Sequence, residues 1–369
     1  MGCVECKICK QEDNKSQFEF AEEPKEKVIK DIPIINEDNE DIPEQLLVKI
    51  KNLGEIISED EFNSIIPKET LELINQQSFP FPIINDKSYK IKPVKFDKGN
   101  LYYGQWNIDG VIDGYGKYYL QNDNVLVQGI WEKGQLKNAR IIYPNGEIYE
   151  GGMKNSNFDG KGKLISSNKD EYTGEFLDGE KNGNGKIVFN DDETEYSGQF
   201  VKNNFNGRGV MKWNNGVEYE GTFNENFFEG YGILTNKTGD RYEGNFVKNL
   251  FHGEGKYTYS NGDEYEGDFI CGFRKGKGTY RKKDSFVFKG NWDNDVPNGP
   301  GQFIFKEQII DCNFYNGNII EIKNETNNPI DCNFFKVPMN LETQNLSHIE
   351  NTNIFTSQYK AEALSFLED

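Results

Sequence analysis

The chain has 369 residues, and its 42 Lys and Arg against 61 Asp and Glu give a formal net charge of −19. This acidic balance argues against a protein that wraps nucleic acid or lies flat on an anionic membrane. Only 35% of the residues are apolar, but 27 Phe, 19 Tyr, 4 Trp and 38 Gly indicate short strands and tight turns, because disordered chains are poor in aromatic residues.

The N-terminus has the sequence of a lipid-modification site. Removal of Met1 would expose Gly2 as an acceptor for myristate. Because one myristoyl chain holds a membrane only marginally, a second signal is needed, and Cys3 and Cys6 are the predicted palmitoylation sites. Cys6 stands where the myristoylation motif expects Ser or Thr. A zinc site formed by Cys3, Cys6 and Cys9, with no fourth ligand nearby, and incidental cysteines in a frayed terminus are the alternatives.

The region before the repeats divides into two segments. Residues 1–43 are predicted to form the acylated N-terminus and an acidic linker. Residues 44–95 are predicted to form a partly helical arm, because apolar residues such as Leu46 and Ile50 recur at helical spacing up to about residue 77. A Pro-rich segment follows at 79–85, which must be extended because each Pro restricts its own backbone and that of the residue before it.

Residues 96–308 form a repeat array. Six units begin 23 or 24 residues apart, at Tyr149, Tyr172, Tyr196, Tyr219, Tyr242 and Tyr265. Most have Gly two residues after the Tyr and Phe four residues after it, and Gly-x-Gly follows about nine residues later. Weaker units flank these six on both sides.

The spacing predicts one β-hairpin per unit. Residues i, i+2 and i+4 of a strand share one face, so Tyr242, Gly244 and Phe246 point the same way. Glycines across the sheet leave room for the large rings, and Asn-Gly pairs such as Asn145-Gly146 favour tight turns. The aromatic side chains predicted to line this face are called the groove aromatics. They are Tyr149, Tyr172, Phe176, Tyr196, Phe200, Tyr219, Phe223, Tyr242, Phe246, Tyr265 and Phe269.

The Tyr-x-Gly-x-Phe motif, followed by Gly-x-Gly at a period near 23, resembles the MORN repeat (membrane occupation and recognition nexus). The likeness covers about residues 102–308 in nine to ten units. It implies an all-β fold, an elongated, twisted, single-layer antiparallel sheet with a ring-lined groove. Short helices in the N-terminal arm and at the C-terminus are predicted separately, from the spacing of apolar residues. Sheets of this family pair end to end or edge to edge, so a homo-oligomer stays open.

Residues 309–369 are predicted to form degenerate capping repeats and a C-terminal helix. Ile310-Asp311-Cys312-Asn313-Phe314 keeps the repeat frame with Cys in place of Gly, and residues 330–334 repeat it. Terminal repeats of an array are expected to be atypical. A short helix is predicted at about 357–367, with Ala361, Leu364 and Leu367 on one face, which we expect to pack onto the groove.

A basic stretch interrupts the acidic array. It comprises Arg274, Lys275, Lys277, Arg281, Lys282, Lys283 and Lys289. One hypothesis makes it a contact for an anionic partner, either phosphoinositide headgroups or an acidic protein surface. The alternative is a solvated hairpin that balances nearby acids, because strand alternation places some of these side chains on opposite faces.

The sequence carries no signature of an enzyme. It has no phosphate-binding loop and only two histidines, His252 and His348, and we expect no cofactor and no metal. The favoured function is a scaffold that is tethered to the cytoplasmic face of a membrane and binds protein partners along its groove. An axonemal, ciliary or cytoskeletal structural protein is the alternative, and a regulatory subunit of a phosphoinositide kinase is a third hypothesis.

Overall fold

The computed structural model describes residues 46, 48–49, 53–75, 89–90, 92–96, 98–306 and 308–323. The predicted lipidation sites Gly2, Cys3 and Cys6, the Pro-rich segment, the second capping repeat and the C-terminal helix lie outside these residues. Among the residues described, no helix is long and apolar enough to cross a lipid bilayer.

The described residues are almost entirely β-structure. Two helices precede most of the strands, α1 (Glu59–Ile65) and α2 (Lys68–Asn75). The strands of the N-terminal part are β1 (Gly54–Ile56), β2 (Tyr89–Lys90), β3 (Val94–Phe96), β4 (Leu101–Trp106), β5 (Ile112–Leu120), β6 (Val125–Glu132), β7 (Gln135–Ile142), β8 (Ile148–Lys154), β9 (Asn157–Ile165), β10 (Glu171–Leu177), β11 (Glu180–Val188) and β12 (Glu195–Val201).

The strands of the C-terminal part are β13 (Asn204–Lys212), β14 (Glu218–Asn224), β15 (Phe227–Thr235), β16 (Arg241–Val247), β17 (Leu250–Thr258), β18 (Glu264–Ile270), β19 (Phe273–Arg281), β20 (Val287–Asp293), β21 (Val296–Phe305), β22 (Gln308–Tyr315) and β23 (Asn318–Lys323). The chain divides into two compact units near residue 204. Within each unit, successive strands from β3 onward pair antiparallel. The prediction of an all-β antiparallel fold is confirmed.

From β6 onward, each hairpin is closed by a two-residue turn, whereas five residues join β4 to β5. In the hairpin β16–β17, Lys248 and Asn249 have φ values of 47° and 69°, as a type I′ turn requires. The Asn249 backbone amide donates to the Phe228 carbonyl at 3.1 Å, and the Asn249 side-chain oxygen accepts from the Phe228 backbone amide at 2.7 Å. Each turn is thereby hydrogen-bonded to the hairpin before it.

The Asn-Gly pairs have a different role from the one predicted. They lie in the five-residue loops that connect one hairpin to the next, and only the Gly has a positive φ, as at Gly216 (87°). The Asn215 side chain accepts the Val217 amide at 3.0 Å, an Asx turn that fixes the loop. The pairs therefore join repeats, and the tight turns lie at the opposite end of each hairpin.

The N-terminal helices cover one face of the first strands. Ser58 caps α1 by accepting the Glu61 amide at 3.1 Å. Apolar side chains of this arm and of the sheet form one buried cluster, which comprises Ile57, Phe62, Ile66, Leu101, Tyr119, Leu126 and Ile142. The Arg140 guanidinium also donates to the Leu73 carbonyl at 3.1 Å. The arm is thus an integral layer of the N-terminal unit.

The described part of the arm combines helix with strand. Strand β1 interrupts the predicted helical region and pairs with β3, with Gly54 opposite Phe96. A Cβ at Gly54 would meet the Lys95 backbone within 3 Å, so the Gly permits a close backbone approach. At the other end, β22 and β23 continue the sheet beyond residue 308.

Candidate functional site

The predicted groove aromatics form a packed ring face. All eleven side chains are at most 4% exposed. Tyr242 stacks on Phe251 with ring centroids 3.8 Å apart, and it meets Phe246 and Phe269 edge-on at 5.2 and 5.1 Å. Such geometry is favourable for aromatic pairs. In the structure these rings pack against one another. Their use as a partner-binding groove stays a prediction.

The glycines beside each tyrosine create the space for its ring. Gly244 of β16 lies opposite Gly255 of β17, and a Cβ on either would be 2.5 Å from the Tyr242 hydroxyl oxygen. That hydroxyl donates to the Asn245 carbonyl at 2.9 Å. Equivalent bonds to the residue three positions later are made by Tyr102, Tyr149, Tyr172, Tyr196, Tyr219 and Tyr265. The Tyr-x-Gly pattern therefore indicates a tyrosine ring that packs over two glycines, one on its own strand and one on the neighbouring strand.

Burial shifts the titration of these tyrosines. Desolvation raises the pKa of Tyr172 to about 12, and it raises the pKa of Tyr196 and Tyr242 further. For Tyr280, desolvation and a hydrogen bond to Asp263 both raise the pKa. The neutral phenol is therefore strongly favoured in the folded protein.

We expect stability to fall steeply in alkaline solution. Tyrosines of the unfolded chain ionise near pH 10, whereas the buried ones hold their protons to higher pH, so the folded chain binds more protons in between. The stability that they contribute is complete below pH 10 and is lost as the pH rises through the folded-state pKa, by about 1.4 kcal/mol per pH unit for each such tyrosine.

Urea unfolding between pH 8 and pH 11.5, with tyrosinate absorbance recorded in parallel, measures this loss. Tyr172→Phe removes one titrating group and should make the pH dependence shallower. A free energy of unfolding that stays constant above pH 10 would contradict the expectation.

The basic stretch does not form one surface. Arg274 is fully buried, because it occupies the position that Phe228 and Phe251 hold in the preceding hairpins. Its Nε lies 3.1 Å from Asp295 Oδ1, and its guanidinium lies 4.4 Å from the centre of the Trp292 ring. Arg274 therefore stabilises the ring face and does not reach a partner.

The remaining cations are distributed over strands and a loop. Lys277, Arg281 and Lys289 share the face opposite the rings, here called the outer face. Lys282 and Lys283 are exposed in the loop that follows β19. Lys275 lies 2.9 Å from Asp293 and Arg281 lies 3.0 Å from Glu266. Lys277, Arg281 and Lys289 thus share one exposed face.

Sequence reasoning missed the buried cations. Lys181 holds the same repeat position as Arg274, is 5% exposed, and lies 5.7 Å from the centre of the Tyr172 ring. Counting residues from each repeat tyrosine would have placed both cations among the phenylalanines. In the part of the chain that the structure describes, no three His, Cys, Asp or Glu residues are grouped so as to hold a metal ion.

Comparison with known proteins identifies the repeats. The family model described as MORN repeat matches residues 102–125, 149–171, 172–194, 196–218, 219–241, 242–264, 265–285 and 288–307. The segment at 127–142, which keeps the hairpin but lacks Gly-x-Gly, falls between the matches. No curated protein matches the chain.

Solved structures with partial likeness include domains of CPAP and SAS-4. The wild-type TCP10 domain of Danio rerio CPAP is 14% identical, with 49% of this chain and 84% of that chain covered and a TM-score of 0.30. The TCP domain of SAS-4 from Drosophila melanogaster, solved with a proline-rich motif of Ana2, is 12% identical, with 68% and 97% covered and a TM-score of 0.15. These scores are too low to support an argument about this chain.

Proposed function

Because the chain belongs to the MORN repeat family, we propose that it is a non-enzymatic scaffold that is held at the cytoplasmic face of a membrane and binds protein partners. The observation that carries the proposal is that the side chains repeated in every hairpin are used for packing. What the array presents to solvent is a repeated surface of strands, which suits binding to extended partners.

The outer face is where we place partner contact. It carries exposed ion pairs that recur from hairpin to hairpin, such as Lys163 with Glu171 at 2.8 Å and Lys212 with Glu218 at 3.0 Å. Exposed pairs of this kind contribute little to stability, so a partner can replace them at low cost. Lys277, Arg281 and Lys289 add a basic area that suits an acidic protein or phosphoinositide headgroups.

The membrane tether is tested by changing its acceptor. Gly2→Ala removes the myristoylation site, so we expect the protein to move from the membrane fraction to the soluble fraction, because stable anchoring takes two lipid signals. Fractionation of cells that express the full chain measures this, and Glu5→Ala is the matched control, with its distribution unchanged.

An unchanged membrane fraction for Gly2→Ala would contradict acylation as the tether. Mass spectrometry of the native N-terminal peptide shows directly whether Gly2 and Cys3 carry acyl chains. If the protein instead remains with microtubules after detergent extraction of isolated cilia, the alternative of an axonemal or cytoskeletal component is favoured.

A further inference from the structure

One row of outer-face positions changes character along the array. It consists of the residue immediately before the first residue of each repeat motif, which is Tyr in most repeats and Phe288 in the last, and of the residues that continue the row across the neighbouring strands. In the C-terminal unit the row begins with polar and charged residues, namely Lys212, Glu218, Thr235, Arg241, Thr258, Glu264 and Arg281. It ends with three apolar residues on adjacent strands, Val287, Ile304 and Ile309, here called the apolar end row.

The N-terminal unit shows what covers such a row. The same repeat positions there are Leu101, Tyr119, Leu126 and Ile142, and each is at most 1% exposed. They are buried by α1, α2 and the residues that flank α1, through Phe62, Ile57 and Ile66. An apolar row at this position is thus matched by an amphipathic helical segment of the same chain.

The apolar end row has no such cover among the described residues. Ile309 is 56% exposed, and Val287 and Ile304 are partly exposed. A single exposed isoleucine is common on protein surfaces. Three apolar residues on adjacent strands, after seven polar positions in the same row, instead form a continuous apolar patch. The cations Arg281 and Lys289 border it on the same face.

We propose that the C-terminal segment 357–367 docks on the apolar end row as an amphipathic helix, with Ala361, Leu364 and Leu367 toward Val287, Ile304 and Ile309. The segment would take the place that α1 and α2 take in the N-terminal unit. It therefore covers the outer face, not the ring face to which the sequence analysis assigned it.

Length and charge support this occupant. The predicted helix of eleven residues is about 16 Å long at 1.5 Å per residue, and three adjacent strands span about 10 Å at 4.8 Å each. The 33 residues between Lys323 and Ser357 allow the segment to reach the row. Glu362, Glu368 and Asp369 supply negative charge that complements Arg281 and Lys289.

Photo-crosslinking from the patch tests the proposal in the full chain. A benzoylphenylalanine placed at Ile309 should crosslink to peptides of 357–367, identified by mass spectrometry. Mixing isotopically light and heavy chains distinguishes a crosslink within one chain from one between two copies. The same photoreactive residue at Thr258, in the polar part of the row, is the matched control and should give no such crosslink.

Variants of the C-terminal segment test whether its apolar residues make the contact. Leu364→Asp with Leu367→Asp should lower the crosslink yield at position 309 by at least about tenfold, whereas Ser365→Asp should leave it unchanged. Crosslinks to residues 1–45, crosslinks to a second copy, or no crosslink at position 309 would each overturn the proposal. Circular dichroism of each variant checks that the sheet is kept.

Discussion

Gly244→Ala is expected to lower the stability of its repeat by about 2–4 kcal/mol, the cost of severe overpacking in a well-packed core. A Cβ at this position would lie 2.5 Å from the Tyr242 hydroxyl oxygen and 2.8 Å from the Gly255 Cα. Neither neighbour can move away. The ring is stacked on Phe251, and the Gly255 backbone is paired with β16 and with β18.

The effect should be confined to the neighbouring hairpins, because each repeat contacts only the next ones. Hydrogen exchange of the amides in β16, β17 and β18 therefore measures it more directly than a single unfolding midpoint. We expect their protection to fall by about two orders of magnitude, since 1.4 kcal/mol corresponds to a factor of ten.

The matched control is Gly272→Asn. Gly272 has a φ of 89°, its nearest atom to an added Cβ is 4.0 Å away, and it holds the turn position that Asn249 holds one hairpin earlier. Asn tolerates a positive φ better than most residues, so the change should cost less than about 0.5 kcal/mol. Equal losses for the two variants would show that glycine matters for backbone freedom alone and not for the ring.

The sheet and its ring face were predictable because they rest on local geometry. The two-residue period of a strand and the need for space beside a large ring connect Tyr242, Gly244 and Gly255 without any knowledge of distant parts of the chain. The alternation of faces likewise places Glu243 and Asn245 outward. The pattern could be recognised because it recurs in successive units. In one hairpin alone, the same spacing could not have been distinguished from chance.

The covering of the outer face was harder to predict, because it depends on a distant segment. Leu126 and Ile142 are apolar where most repeats of the C-terminal unit have polar or charged residues such as Glu218 and Lys212, which was a visible sign that something packs there. Which segment does so is a matter of tertiary packing, which routinely overrides local propensity. The same holds for the pairing of β1 with β3.

The prediction that Arg274 belongs to an exposed basic stretch was wrong for a physical reason. A run of cations in sequence predicts a surface only if the side chains face solvent, and strand alternation sends Arg274 to the ring face. Burial of a charge is tolerated when it is paired and its donors are satisfied. Asp295 accepts from Nε at 3.1 Å and its carbonyl accepts from Nη2 at 2.8 Å, and Tyr259 Oη lies 3.3 Å from Nη1.

Asp295→Ala is expected to destabilise the C-terminal unit by about 3–5 kcal/mol, because it leaves the Arg274 charge buried and uncompensated. The substitution also removes the acceptor of the Arg274 backbone amide, which lies 2.8 Å from Asp295 Oδ1. Asp295→Asn keeps an acceptor for that amide and removes only the charge, so it should be less harmful. Urea unfolding with hydrogen exchange of β19 to β21 separates the two effects.

Arg274→Phe combined with Asp295→Asn should restore the stability that Asp295→Ala loses. The double variant recreates the pairing of Phe228 with Asn249, in which the Asn side chain accepts the Phe amide at 2.7 Å. Apolar replacement of a buried ion pair is often neutral or stabilising, so we expect a free energy of unfolding within about 1 kcal/mol of wild type or above it. If the double variant is as unstable as Asp295→Ala, the ion pair is required for the packing of Trp292 and Tyr265, and the equivalence of the repeat positions does not extend to their energetics.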